Sequence, residues 1–175
     1  RATVEASGGI SLDTVAAITL TITEGGYGID DDDVRAVRDG GVPTTPLARL
    51  ALAFDARRRA GAGPIAVISC DNLPENGEVT RMSLEAYTRE APELQQWIRE
   101  NVSFCSTAVD RITPRIDDAE RAALAAASGY DDASPVVTER YVEWVISGSF
   151  PAGRPAWETA GVILTDDVTP YEDRK

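Results

Sequence analysis

Two groups of polar residues stand where apolar runs stop, and they are the places where this chain could do chemistry. The first is Ser69-Cys70-Asp71-Asn72-Leu73-Pro74-Glu75-Asn76-Gly77, directly after the apolar residues 65–68. The second is Val109-Asp110-Arg111-Ile112-Thr113-Pro114. Side-chain amides and carboxylates offer donors and acceptors of fixed geometry to a polar ligand. They make poor core material, so a ligand site is their natural use. In open α/β sheets such sites lie in the crevice at the carboxyl ends of the strands.

The elements around them fit that picture. Residues 16–23 alternate Ile18, Leu20 and Ile22 with Thr19, Thr21 and Thr23, which predicts a strand ending in the turn Glu24-Gly25-Gly26-Tyr27. Residues 29–41, with four consecutive aspartates, read as an exposed loop with at most one helical turn. The run 30–33 lacks the spacing of an EF-hand and is expected to be solvated. Thr45 as N-cap and Pro46 at the first helical position predict a helix over 45–60, with Arg57, Arg58 and Arg59 as a solvated cluster suited to its C-terminus.

Residues 64–70 form a continuous apolar run, as in a strand covered on both faces. Helices are expected from Asn76 toward Glu90 and over 93–101, with extended chain over 102–112. Asp117 or Asp118 caps an Ala-rich helix reaching Ser128. Residues 136–150 read as extended, 161–165 as a short strand, and 170–175 as the opening turn of a helix. Trp97, Trp144 and Trp157 are expected in the core. The pattern predicts an α/β protein with a parallel sheet extended by antiparallel strands.

Composition sets further limits. The chain has 175 residues, of which 43% are hydrophobic and 26% charged, values of a globular domain. A net charge of −12 argues against nucleic acid and anionic membrane as partners. No apolar run approaches the roughly 20 residues that span a bilayer. The first residues lack the apolar segment of a signal peptide. Cys70 and Cys105 are too few for a disulfide framework and are expected to be small buried side chains in a reduced, cytoplasmic protein. There is no histidine, so no Ser-His-Asp triad arises from this chain alone. No G-x-G-x-x-G occurs, and Gly8-Gly9 precedes the first clear strand. With no initiator Met either, the sequence is expected to be the interior of a larger α/β protein, cut near both ends.

Four segments together resemble the polyol-specific long-chain dehydrogenases, the mannitol dehydrogenase and fructuronate reductase family. They are Thr23-Glu24-Gly25-Gly26-Tyr27; residues 69–77 quoted above; Phe104-Cys105-Ser106-Thr107-Ala108 with 109–114; and the stretch from Val142-Glu143-Trp144 through Phe150-Pro151-Ala152-Gly153-Arg154-Pro155 to Tyr171-Glu172-Asp173-Arg174-Lys175. The chain departs from the family's pattern at both ends. The glycine-rich cofactor turn is absent, and Lys175 would open a Lys-x-x-x-x-Asn-x-x-His motif whose other members lie beyond it. Cys105 stands where the family often has Pro.

The resemblance implies a metal-independent enzyme that moves hydride between NAD and a polyol or sugar acid, with NADP also open. Residues 1–169 would be the second part of a Rossmann-like nucleotide-binding domain, and 170–175 the start of a helical substrate-binding domain. Lys175 would be the general base, Asn72 would help hold the developing alkoxide beside the missing Asn, and Asp110 would contact substrate hydroxyls. Glu172 would sit on the proton path, and Thr23, Glu24 and Val109 would border the cofactor. Segments 74–77 and 104–110 lean toward the fructuronate reductase branch. Oligomeric state is not implied. Two rival readings are a non-catalytic acidic α/β binding domain and a hydrolase using Asp71 and Asp110. The second would need a carboxyl group of raised pKa, and no neighbour suggests one.

Overall fold

A computed structural model describes residues 14–174; Gly8, Gly9 and Lys175 lie outside the described residues. Five strands form one sheet in the order β1 (Ala17–Leu20), β2 (Ile65–Ser69), β3 (Val102–Asp110), β4 (Glu143–Ser147) and β5 (Ile163–Thr165). Strands β1, β2 and β3 run parallel, as the alternation of strand and helix predicts. Strand β4 turns antiparallel to β3, while β5 runs parallel to β4. The extension therefore has a single antiparallel junction, fewer than the strand-rich second half suggested.

Helices α1 (Asp31–Asp39) and α2 (Pro46–Arg59) connect β1 to β2, and α3 (Asn76–Tyr87) and α4 (Pro92–Asn101) connect β2 to β3. The continuous apolar run of β2 follows from its place: all five residues are buried. Ile65 and Val67 face the helices with Leu47, Phe54, Leu84 and Ile98. Ala66 and Ile68 face the opposite layer, with Cys105, Ile146, Trp144, Phe150 and Trp157. Helices α5 (Asp118–Ser128) and α6 (Thr169–Glu172) complete the described chain. Asp117 caps α5 with a reciprocal Glu120 bond, the capping box its sequence allows.

Several local expectations change. Residues 29–41 are not a loop. Asp30 caps α1, accepting from the N–H groups of Asp32 and Asp33, and Val34 and Val37 bury one face. Aspartates in a first turn suit the helix dipole, so the acidic run starts a helix. Asp33 is buried, not solvated: its carboxylate accepts from the backbone and hydroxyls of Thr44 and Thr45. Thr45 accordingly does not cap α2 with its side chain, which Asp33 and Tyr87 engage. Arg57 is also buried, with its guanidinium on the carbonyls of Gly63 and Pro64. Residues 136–142 are outside any strand, because β4 meets β3 only from Glu143, opposite Asp110. Helix α3 ends at Tyr87, three residues early. Trp97, Trp144 and Trp157 are half-buried at the edges of the core clusters, and Cys70 is partly buried.

Candidate active site

The site forms where β2 stops beside β3, which runs on to Asp110. The last β1–β2 ladder bond beyond the strand runs from the Cys70 N–H to the Leu20 carbonyl, at 2.8 Å. The last β2–β3 pair is Ile68 with Cys105. Past these points the chain leaving β1 and the rest of β3 continue, and their backbone groups need other partners. Buried backbone groups without partners are costly. Two side chains, Asp71 from the turn after β2 and Asn76 from the start of α3, supply the bonds.

Asp71 serves β1. Its two carboxylate oxygens accept from the N–H of Ile22 at 2.9 Å and of Thr23 at 2.8 Å. The hydroxyl of Tyr27 donates to the same carboxylate at 2.8 Å. Burial, and then the Asp71 bond, push the Tyr27 phenol up to about 12, so it remains a donor. Thr23 is held at φ 62° and ψ 166°, a region used almost only by glycine, at a cost of roughly 1–3 kcal/mol.

Asn76 serves β3. Its amide nitrogen donates to the carbonyls of Asp71 and Thr107, both at 2.9 Å. Its oxygen accepts from the Thr107 N–H at 2.9 Å. The Thr107 hydroxyl donates back to the Ser69 carbonyl at 2.6 Å. Helix α3 begins here in close contact with β3. A Cβ on Gly77 would lie 2.7 Å from backbone atoms of Cys105 and Ser106. Glu75, just before α3, takes the left-handed conformation at φ 50°.

Between these two anchors the turn exposes Asn72. Asn72 lines a hollow of about 630 Å³ with Val109, Asp110, Arg111, Ile112, Val142, Glu143 and Trp144. The structure thus brings together three of the sequence-predicted residues, Asn72, Val109 and Asp110. Asp110 and Glu143 stand opposite each other across the β3–β4 pair. Arg174 lies 3.9 Å from Glu143 and stacks on Tyr171, 4.5 Å from its ring centre. Glu172 reaches the same turn from α6, its carboxylate accepting from the Glu75 N–H at 3.3 Å. Thr23 and Glu24 are exposed in the turn after β1, outside the lining of the hollow, and Thr23 is tied to the turn beneath it through Asp71. The expected base, Lys175, lies outside the described residues.

Sequence reasoning missed Asp71 and Asn76 as structural members. The run of amides and carboxylates was visible, but which of them face the hollow depends on where β2 stops. Asp71 accepts three bonds and is absent from the hollow's lining, which leaves no paired-carboxylate hydrolase site with Asp110. Among the described residues no group of three or more His, Cys, Asp or Glu could hold a metal ion. No described helix is long and apolar enough to cross a membrane.

Residues 5–159 match the family described as the mannitol dehydrogenase Rossmann domain. The chain belongs to that family. Its relatives include the D-arabinitol 4-dehydrogenase of Ralstonia nicotianae, 42% identical over 167 residues, covering 90% of this chain and 36% of the relative. The polyol:NADP oxidoreductase of Gluconobacter oxydans is 40% identical over 172 residues, covering 92% of the chain and 36% of the relative. Among solved structures, the Pseudomonas fluorescens mannitol 2-dehydrogenase, in ternary complex with NAD and D-mannitol, superimposes with a TM-score of 0.81 at 43% identity. That match covers 94% of this chain and 36% of the other. The chain therefore spans little more than a third of the length of these relatives. Family membership accounts for the parallel β1–β3 core with helices between its strands, a Rossmann-type arrangement.

Proposed function

We propose that the protein carrying this chain is an NAD-dependent polyol dehydrogenase that interconverts a secondary alcohol and its ketone without a metal. The observation that carries the reading is the convergence of the Asn72 amide and the Asp110 carboxylate on one hollow at the carboxyl ends of parallel strands. That is where an α/β sheet of this type receives a nucleotide. The exposed turn after β1, with Thr23 and Glu24, and Val109 near the end of β3 fit a cofactor laid across those strand ends.

When bound, NAD supplies the hydride acceptor. The residues of this chain then act as follows. Asn72 donates to the substrate oxygen as negative charge builds there, a bond that strengthens toward the transition state. Lys175 takes the hydroxyl proton. For this its pKa must fall below the usual value of about 10.4, as burial brings about. Asp110 accepts from neighbouring hydroxyls of the polyol and fixes which carbon faces the cofactor. Glu172, three residues before Lys175 in the sequence, carries the proton away. Residues 1–169 are then part of the nucleotide-binding domain, and 170–175 open the substrate-binding one. A cytoplasmic location fits the reduced state of two thiols.

The test is a substrate screen on the protein expressed from its complete gene. NADH or NADPH absorbance is followed with mannitol, arabinitol, fructose and fructuronate. Turnover of a polyol or its ketose supports the reading. Replacing Asn72 with Ala should then lower kcat by about 10²–10³, the usual loss on removing one oxyanion donor. Turnover of fructuronate alone would move the substrate to the sugar acids. Cofactor binding with no turnover of any of the four would refute the proposal.

A further inference from the structure

We propose that Asp71 is a positioning residue: it sets the cofactor-bordering end of β1 and the turn that carries Asn72 in one fixed relation. The inference rests on the functional reading above, in which these two loops meet cofactor and substrate.

Asp71 holds both loops at once. Its side chain grips β1 through the N–H groups of Ile22 and Thr23 and through the Tyr27 hydroxyl. Its main-chain carbonyl grips its own turn, accepting from the Leu73 N–H at 2.9 Å and from the Asn76 amide at 2.9 Å. Asn72 is the next residue in the chain, so a shift of Asp71 moves Asn72 with it. At the other end of the grip, Thr23 holds a backbone conformation that an L side chain seldom adopts unaided. Asp71 is buried and does not line the hollow, so it acts through its neighbours.

The chemistry of the grip is specific to a carboxylate. Three donors converge on two oxygens, and an ionised carboxylate is acceptor-only. An Asn in its place presents one oxygen and turns an NH2 group toward a donor. A Glu is one methylene too long for two main-chain bonds already at 2.8–2.9 Å.

The experiment uses the protein from its complete gene, with Asp71→Asn and Tyr27→Phe. Two readouts are needed. The first is peptide-level hydrogen exchange on the cofactor-free protein. Asp71→Asn should speed exchange in residues 20–27 and in 71–77 together. Tyr27→Phe, which leaves the two main-chain bonds in place, should do so to a smaller degree. The second is kinetics with polyol deuterated at the reacting carbon. Asp71→Asn should lower kcat about 10- to 100-fold, the effect of misplacing reacting groups by a fraction of an ångström to an ångström. The isotope effect on kcat should rise, and KM for the polyol should change less than kcat.

A lowered melting temperature with kcat and isotope effect unchanged would reduce Asp71 to a structural residue and overturn the proposal. So would exchange that rises in 20–27 and stays fixed in 71–77. If Asp71→Asn does not fold, Tyr27→Phe decides by the same exchange criterion, because Asp71 is its hydrogen-bond link to that turn. An inactive wild type would fail the functional reading. An active wild type with an equally active Asp71→Asn variant would fail this inference alone.

Discussion

Replacing Asn76 with Ala tests the claim that side chains take the place of strand pairing along β3 beyond the end of β2. Asn76 is fully buried and makes three bonds of 2.9 Å, two donated and one accepted. Removing it strands the Thr107 N–H, and a buried donor left unpaired costs about 1–3 kcal/mol. The Thr107 carbonyl loses an amide donor as well, while the Asp71 carbonyl keeps the Leu73 N–H. A total near 3 kcal/mol follows, with the N–H as the larger part. Since each 1.4 kcal/mol is tenfold, hydrogen exchange at the Thr107 amide should speed up by about two powers of ten. Exchange resolved to single amides in β3 reads this directly in the intact protein. Asn76→Asp is the sharper control. It keeps an acceptor for the Thr107 N–H but turns a second oxygen toward two carbonyls, so it should destabilise at least as much as Ala. A neutral Asn76→Asp, or less than threefold faster exchange in Asn76→Ala, would refute the reasoning.

Gly77→Ala should push α3 away from β3, because the added Cβ meets backbone at 2.7 Å. Overpacking of this kind costs about 1–3 kcal/mol, and thermal melting should show it. Thr23→Gly relieves a strained backbone, so the melting temperature should hold or rise; a large fall would mean that Thr23 is not strained. Burial, and for Cys70 also the Asp71 charge, raise both thiols to about 11. At pH 8 only about one in a thousand is then thiolate, and iodoacetamide should label the folded protein about a hundredfold more slowly than a thiol of ordinary pKa near 9. Rapid labelling at pH 8 would contradict the burial. The Tyr27 phenol is raised to about 12, so its contribution to stability is complete below about pH 10 and is lost as pH rises through 12. Alkaline unfolding of wild type against Tyr27→Phe should show that component vanish.

Elements marked by local pattern were legible in the sequence. The apolar run 65–69 announced a strand covered on both faces, Pro46 opened α2, and Asp117 capped α5. The structure also places Asn72, just past β2, and Asp110, the last residue of β3, on one hollow. What failed were features settled by partners distant in sequence. Asp33 looked solvated because nothing near it advertises Thr44 and Thr45, which fold back onto its carboxylate. Arg57 looked like one of three surface charges until the chain turned and offered the Gly63 and Pro64 carbonyls. Tyr141 and Val142 have strand propensity but no strand to pair with, and they stay exposed. β propensity expresses itself only where a neighbour exists.

The two amides of the turn show why polar composition alone could not assign roles. Asn72 and Asn76 are four residues apart and chemically identical. Asn76 sits at the start of α3, inside the gap left by β2, and Thr107 claims both ends of its amide. Asn72 sits one residue past Asp71, on the outer side of the turn, and lines the hollow. The end of β2 beside the longer β3 creates both conditions: backbone groups that demand polar side chains, and the open space above them that a ligand can enter. Structural need and site chemistry therefore draw on the same residue types in the same stretch of chain. They separate only by burial, with Asn76 enclosed and Asn72 exposed. The same division assigns the carboxylates, Asp71 to the gap beside β1 and Asp110 to the hollow.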